Sequence, residues 1–219
     1  MKRGINWGAV LLVACLVCAT SAWSDTVFTS GHVYWVEGAG SLSGDMVNVT
    51  GGGDFSSATP LASPGRCPGQ VAWSADRTTA YVTQYNVNKV VTVTADGVVN
   101  DFATGISGPT GILQTTDDRL LAVSYVDGRV FDITGGGDFT GASAFATGFS
   151  GARNLLETSD GRILLADQGT HKVYDISSGG DYSSDAGFAY IANSRFSDLV
   201  QDADGSIYAA SYLLNAVYD

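Results

Sequence analysis

The segment from Gly108 to Ile133 decides the fold and reads GPTGILQTTDDRLLAVSYVDGRVFDI. Two short apolar runs flank an acidic turn, and a third run follows a polar loop that ends in glycine. Short apolar runs separated by turn residues are typical of antiparallel strands joined by tight connections. The segment is therefore predicted to form three neighbouring strands of one sheet.

The same pattern recurs along the chain. Acidic turns between two apolar runs are separated by 42, 42 and 44 residues, at Asp76, Asp118, Asp160 and Asp204. A third apolar run follows in each unit, beginning at Val90, Val130, Val173 and Val217. This regularity predicts a repeat of about 42 residues.

A glycine-rich turn precedes the fourth strand of several units. It occurs as Gly51–Phe55, Gly135–Phe139 and Gly179–Tyr182, and a short run such as Ala144–Thr147 follows it. These turns lack the tandem nine-residue spacing of calcium-binding β-rolls, whereas glycine readily adopts the positive backbone angles of a tight turn. We interpret them as structural turns whose aromatic residue packs between units.

Repeated four-stranded sheets have to cover each other, because one such sheet cannot bury both of its faces. Radial packing achieves this and leaves only short edges, so we predict an all-β protein with a β-propeller fold. The predicted blades span approximately 25–66, 67–107, 108–151, 152–193 and 194–219. The fifth blade lacks its fourth strand, and we expect the chain to be a fragment of a six-bladed propeller.

The N-terminus has the features of a secretory signal peptide over residues 1–24. Lys2 and Arg3 precede an apolar run at 9–17, which a stretch of small residues follows. The run is too short to cross a bilayer, so we expect a secreted or periplasmic protein whose mature domain spans 25–219. An alternative is lipid anchoring at Cys15, because Leu12 to Cys15 resembles a lipobox.

The chain is strongly acidic, with 22 Asp and Glu against 11 Lys and Arg and a formal net charge of −11. Nucleic acid is excluded as an expected partner, since its recognition requires a basic surface. Cys67 is the one cysteine after the predicted signal peptide, so no intramolecular disulfide is expected.

The segments Gly108–Ile112, Asp118–Val123 and Gly128–Phe131 resemble a blade of the NHL and SMP-30/gluconolactonase-like superfamily, and Asp160–Asp167 repeats the pattern. The resemblance covers essentially the mature chain. It implies a six-bladed propeller, but it indicates no single function, because the superfamily includes lactonases, lyases, sensors and scaffolds.

Blade geometry predicts where a ligand binds. The links between blades and the loops between second and third strands should emerge on one face, which we call the loop face. The links are 63–67, 107–109, 150–154 and 193–197, and the loops are 84–88, 124–128, 167–171 and 211–215. The candidate ligand-binding residues on this face are Arg66, Tyr85, Tyr125, Arg153, Asn154, Asp167, His171 and Tyr212.

Two functions stay open at the level of sequence. The first is an exported binding or scaffold propeller that takes a small molecule, glycan or protein ligand. The second, a calcium-dependent lactonase-like hydrolase, follows from the resemblance, which implies Asn154 and Asp167 as Ca²⁺ ligands and Asp167 as a base. This chain departs from the family's motif, because Asn154 lacks the Pro-Asn-Gly setting and the corresponding Glu ligand is not evident. Whether the protein is an enzyme is left open, with binding favoured.

Overall fold

The computed structural model describes residues 34–36, 44–48, 59–65 and 67–219. These residues form five β-sheets and one 3₁₀ turn at Tyr85–Val87, without an α-helix in the described ranges. The all-β prediction is confirmed. The predicted signal peptide, the alternative anchor Cys15 and the candidate Arg66 lie outside the described residues.

The first two sheets belong to the N-terminal part of the chain. In the first sheet, β1 (Tyr34–Val36) pairs antiparallel with β2 (Met46–Asn48). The second is an up-and-down antiparallel sheet of β3 (Pro68–Trp73), β4 (Thr79–Gln84), β5 (Lys89–Thr94) and β6 (Val99–Thr104). Its strands follow one another in the order of the sequence.

The third sheet repeats this arrangement with β7 (Pro109–Gln114), β8 (Leu120–Ser124), β9 (Arg129–Asp132) and β11 (Ala146–Thr147). The short strand β10 (Gly137–Asp138) lies between β9 and β11 in sequence. The fourth sheet contains β12 (Ala152–Glu157), β13 (Ile163–Asp167), β14 (Lys172–Asp175) and β16 (Ala189–Tyr190). The short strand β15 (Gly180–Asp181) lies between β14 and β16 in sequence but belongs to the third sheet. The fifth contains β17 (Phe196–Gln201), β18 (Ile207–Ser211) and β19 (Ala216–Tyr218).

The hydrophobic core lies between successive sheets. The first strands β3, β7, β12 and β17 contact one another in order, as the inner strands of propeller blades do. Side chains alternate along β8, so Leu121 and Val123 pack against the fourth sheet while Leu120 and Ala122 pack against the second. Each inner sheet therefore buries both faces, which is why its second strand is apolar at consecutive positions.

The Gly-Gly-Asp turns join neighbouring blades. Strand β10 pairs in parallel with β6 of the preceding sheet, and β15 pairs in parallel with β11. Gly137 and Gly180 have φ angles of 104° and 105°, which glycine adopts without steric cost. The aromatic residue after each turn then enters the core between blades; Tyr182 stacks on Phe149 with ring centroids 5.6 Å apart. The sequence predicted these turns but not their pairing with another sheet.

The register of the acidic turns differs from the prediction in the third sheet. Asp117, rather than Asp118, accepts the hydrogen bond of Thr115, just as Asp160 accepts that of Thr158. Asp118 has a φ of 66° and takes the place of Gly161, whose φ is 83°. The equivalent acids are thus Asp76, Asp117, Asp160 and Asp204, separated by 41, 43 and 44 residues.

Among the described residues, no helix has the length and apolar character required to cross a membrane.

Candidate functional site

The loop face is held together by backbone hydrogen bonds between each link and the loop beside it. The amide of Tyr125 donates to the carbonyl of Gly108 at 3.2 Å, and that of Gln168 donates to Gly151 at 2.9 Å. The amide of Tyr212 donates to Arg195 at 3.1 Å in the same way. Each of these links is thereby fixed to the loop of its own blade.

A cavity of about 280 Å³ opens on this face where the third, fourth and fifth sheets meet. We call it the loop-face cavity. Its described lining consists of Tyr125, Ser150, Gln168, Gly169, His171 and Arg195. Two of these residues, Tyr125 and His171, were predicted from the sequence. Residues from three successive sheets build the cavity, so its shape depends on how the blades pack.

Asp167 shapes the wall of the cavity. The residue is fully buried, and its carboxylate accepts hydrogen bonds from the amides of Ser150 at 2.8 Å, Gly169 at 2.8 Å and Thr170 at 3.2 Å. Ser150 belongs to the link and Gly169 and Thr170 to the loop. Since both carboxylate oxygens are engaged, Asp167 fixes the distance between the two segments that line the cavity.

Tyr125 is the centre of an aromatic and cationic cluster. Its ring centroid lies 6.2 Å from that of Tyr85, and the guanidinium carbon of Arg153 lies 5.7 Å from its centroid. An arginine at this distance from a tyrosine ring is attracted by the ring's quadrupole. The hydroxyl of Tyr125 is 3.4 Å from Oε1 of Gln168, which links the cluster to the loop at 167–171.

His171 and Arg195 form the other side of the cavity. His171 is half-buried with a φ of 62°, and its Nδ1 accepts a hydrogen bond from the amide of Arg195 at 3.4 Å. The imidazole therefore carries its proton on Nε2 when it is neutral. Arg195 is exposed.

Asn154 pairs with Ala166, next to Asp167 on the neighbouring strand, but its side chain contacts a different acid. Its Nδ2 donates to Oδ1 of Asp198 at 2.6 Å, across the junction of the fourth and fifth sheets. Burial raises the pKa of Asp198 from 3.8 to about 6, although the bonds from the Leu199 amide and from Asn154 oppose the rise. Asn154 is itself buried, and its Oδ1 accepts no hydrogen bond in the described structure.

The described residues do not fit a calcium site. Calcium takes six to eight oxygen ligands, several of them carboxylates. Asn154 offers one free buried oxygen, but the oxygens of Asp167 are occupied by backbone amides. Within the described ranges, no three His, Cys, Asp or Glu side chains cluster as metal ligands would.

The other described candidates, Tyr85, Arg153, Asn154, Asp167 and Tyr212, are not among the residues that line the cavity. The side chain of Tyr212 is 67% exposed on the loop of the fifth sheet. Sequence reasoning did not single out Ser150, Gln168, Arg195 or Asp198. The predicted links and loops include the first three of these, and Asp198 follows Asn154 by 44 residues, the repeat spacing.

A second cavity, of about 380 Å³, lies on the opposite face beside the acidic turns. Its polar groups are largely engaged between blades. Glu157 accepts hydrogen bonds from the amide and hydroxyl of Thr116 at 2.8 and 2.7 Å, and Gln201 accepts one from the Ser159 amide at 2.7 Å. These contacts repeat from one junction to the next, which indicates a structural role.

Comparison with known proteins supports the fold alone. No family model matches the chain, and neither does any curated protein. A chain of the nidogen/laminin complex superposes with a TM-score of 0.64 at 15% identity, covering 85% of this chain and 70% of that one. The WD40 β-propeller domain of Doa1 gives a TM-score of 0.58 at 13% identity over 87% and 60% of the two chains.

Virginiamycin B lyase from Staphylococcus aureus, in a catalytically inactive form with quinupristin, gives a TM-score of 0.53 at 17% identity. The match covers 70% of this chain and 52% of the lyase, so this chain spans about half the length of that structure. These neighbours and the observed sheets define the fold as that of β-propeller blades, which confirms the predicted fold class.

Proposed function

We propose that the protein is an exported β-propeller that binds its ligand in the loop-face cavity. The observation that carries this proposal is the cavity itself, where residues from three sheets converge around about 280 Å³. Propellers bind ligands on faces of this kind, because loops on a rigid scaffold can vary without disturbing the core. The blade sequence resembles that of the NHL and SMP-30/gluconolactonase-like superfamily.

The wall of the cavity is preorganised, which supports binding. Asp167 ties Ser150 of the link to Gly169 of the loop, and Gly169 closely approaches the link. A Cβ atom at Gly169 would lie 2.0 Å from the carbonyl oxygen of Ser150, so a larger residue cannot take this place unchanged. A site that is fixed before the ligand arrives loses less entropy on binding.

A melting-temperature screen tests this function. Purified protein would be heated with a panel of metabolites and glycans, because a ligand that binds only the folded state raises the melting temperature. We expect at least one compound to stabilise the protein and to lose its effect on the variant His171→Ala. Exposed Tyr212 provides the matched control variant Tyr212→Ala. A compound that stabilises wild type and His171→Ala equally would place the site elsewhere.

A calcium-dependent hydrolase is the alternative that the family resemblance implies. The engagement of both oxygens of Asp167 favours binding over this alternative. A calcium titration of wild type and Asp167→Asn distinguishes the hydrolase from the binding function. Calcium binding that the substitution abolishes would support the hydrolase. The same calcium response in both proteins would support the binding function.

Export is part of the proposal and rests on residues 1–24. Sequencing the N-terminus of protein recovered from the periplasm or medium should give a chain that starts near Asp25. Fatty-acid labelling that depends on Cys15 would instead support a lipid anchor, and an intact Met1 on protein retained in the cytoplasm would contradict export.

A further inference from the structure

We infer that the outer edge of β16, in the fourth sheet, docks a separate protein chain that presents a turn of the sequence Gly-Gly-Asp followed by Phe or Tyr. The loop-face cavity is not part of this site, so the inference does not depend on the proposed function. Three features carry it: a free strand edge, an exposed aromatic ring and a half-open apolar pocket. At the two preceding blade junctions, a turn of this kind covers all three.

The edge of β16 is the third copy of a strand that binds a glycine turn at the other two junctions. Phe-Ala-Thr at 102–104, Phe-Ala-Thr at 145–147 and Phe-Ala-Tyr at 188–190 recur every 43 residues. The first two copies pair in parallel with β10 and β15, and the amide of Gly180 donates to the carbonyl of Phe145 at 2.9 Å. Among the described strands, β16 pairs with β14 alone. Its outer edge therefore offers backbone groups to which an extended segment can add as a strand.

The ring of Phe188 lies open beside this edge. Phe188 is placed like Phe145, since each ring lies under an arginine whose guanidinium carbon is 5.1 Å from the ring centroid. In the paired copies, a Cβ atom at Gly136 or Gly179 would lie only 2.8 or 2.7 Å from the carbonyl oxygen of Phe102 or Phe145. Phe188 is 49% exposed, whereas Phe102 and Phe145 are half-buried. The position next to Phe188 thus fits a glycine of an incoming turn.

A half-open apolar pocket can receive the aromatic residue that follows the aspartate. At the preceding junction, Tyr182 packs against Phe149 and Tyr174 with ring centroids 5.6 and 6.1 Å apart, and both partners are buried. Ile191 and Tyr218 take the places of these partners, 42 and 44 residues later. Both are only partly buried in the core between the fourth and fifth sheets. An aromatic ring placed there would remove their apolar surface from water.

A basic side chain provides charge complementarity for the aspartate of the turn. In both paired copies, the residue opposite this aspartate has a basic residue as its neighbour on the other side. These rows are Lys89–Thr104–Asp138 and Arg129–Thr147–Asp181. The row of the fourth sheet consists of Lys172 and Tyr190, without a third member among the described residues. An aspartate docked beside Tyr190 would complete this row.

The turns of this chain are not placed to fill the site. The turns at 135–139 and 179–182 are already bound to β6 and β11. The third glycine turn, Gly51–Phe55, lies outside the described residues and follows β2, which packs against the second sheet on the face opposite to the third sheet. That segment therefore begins two sheets away from β16, and a separate chain is the occupant that fits.

Fluorescence anisotropy of the full mature chain tests this inference, with a labelled peptide of residues 134–141, Thr-Gly-Gly-Gly-Asp-Phe-Thr-Gly, as the probe. We expect saturable binding that weakens as the salt concentration rises. Peptides with Gly136→Ala or Phe139→Ala should bind at least about tenfold more weakly, because the first meets the strand backbone and the second leaves the pocket empty. Failure of the probe to bind, or equal binding of all three peptides, would overturn the inference.

Phe188→Ala should weaken binding of the probe by about tenfold, with a urea midpoint close to that of wild type because the residue is half exposed. Val126→Ala is the matched control, since Val126 is 63% exposed on the loop face. An equal loss in the two variants would overturn the inference, because it would reflect unspecific apolar contact. Self-association of the chain that Phe55→Ala abolishes would also overturn it, in favour of a second copy of this chain as the occupant.

Discussion

Replacing Asp198 with asparagine should stabilise the protein at neutral pH. The carboxyl group is buried against Asn154, and its pKa in the folded protein is about 6 against an ordinary 3.8. The folded state therefore binds the proton more tightly than the unfolded state. Stability should fall as the pH rises from about 4 to about 6, because the charged form has to be kept away from water.

The size of the effect follows from the pKa difference. Each tenfold change in proton affinity corresponds to about 1.4 kcal/mol, so the charged carboxylate costs up to about 3 kcal/mol above pH 6. Asparagine keeps an oxygen that can accept the bonds now made by Asn154 and the Leu199 amide, and it carries no charge. Asp198→Asn should thus approach a gain of about 3 kcal/mol at pH 7.5 and lose that advantage near pH 4.

Urea unfolding of both proteins at pH 4 and pH 7.5 measures the difference. Asp118→Asn is the control, because Asp118 is exposed and asparagine tolerates its positive φ of 66°. The control should change the unfolding free energy little at either pH. A variant Asp198→Asn that is no more stable than wild type at pH 7.5, or that gains equally at both pH values, would refute the reasoning.

Three further substitutions test other parts of the structure by urea unfolding. Asp167→Ala leaves three amides without their acceptor and should lower the free energy of unfolding by about 3 kcal/mol. Asp167→Asn should lower it less, because the asparagine keeps one acceptor oxygen. An equal loss in the two variants would contradict these hydrogen bonds. Glu157→Ala should lower the free energy of unfolding by about 1 kcal/mol, since it removes two hydrogen bonds to Thr116 across a blade junction. An unchanged urea midpoint would contradict a stabilising role for these bonds. Tyr182→Ala should cost about 3 kcal/mol through the cavity it leaves beside Phe149, whereas Tyr182→Phe should be nearly neutral.

Most of the fold could be predicted from the sequence. Strands and tight turns are local, so the alternation of apolar runs and turn residues predicted the sheets and their repeat. The pairing of β10 with β6 was not predicted, because a two-residue parallel bridge between different sheets leaves no local pattern. The shifted register at Asp117 was missed for a similar reason: two adjacent acids are equivalent in sequence, and only the backbone angle at Asp118 separates them.

The candidate site could be predicted only as a set of segments. Repeat geometry assigned links and loops to one face, which included Tyr125 and His171 of the cavity. Which residues meet there depends on how three sheets pack, so Arg195 had no signal beyond its place in a link. The contact between Asn154 and Asp198 joins adjacent blades. Their 44-residue separation predicts this contact only once the first strands of the two blades are known to lie side by side.

Hydrogen exchange of the full mature chain tests the central claim most directly, with and without the compound that the melting screen selects. A ligand in the loop-face cavity should slow amide exchange in segments 150–154, 167–171 and 193–197, which provide most of its lining. The turns at 115–119 and 158–162 on the opposite face should exchange as before. Slower exchange confined to those turns would contradict the account, because the ligand would then bind where the polar groups already serve the packing of the blades.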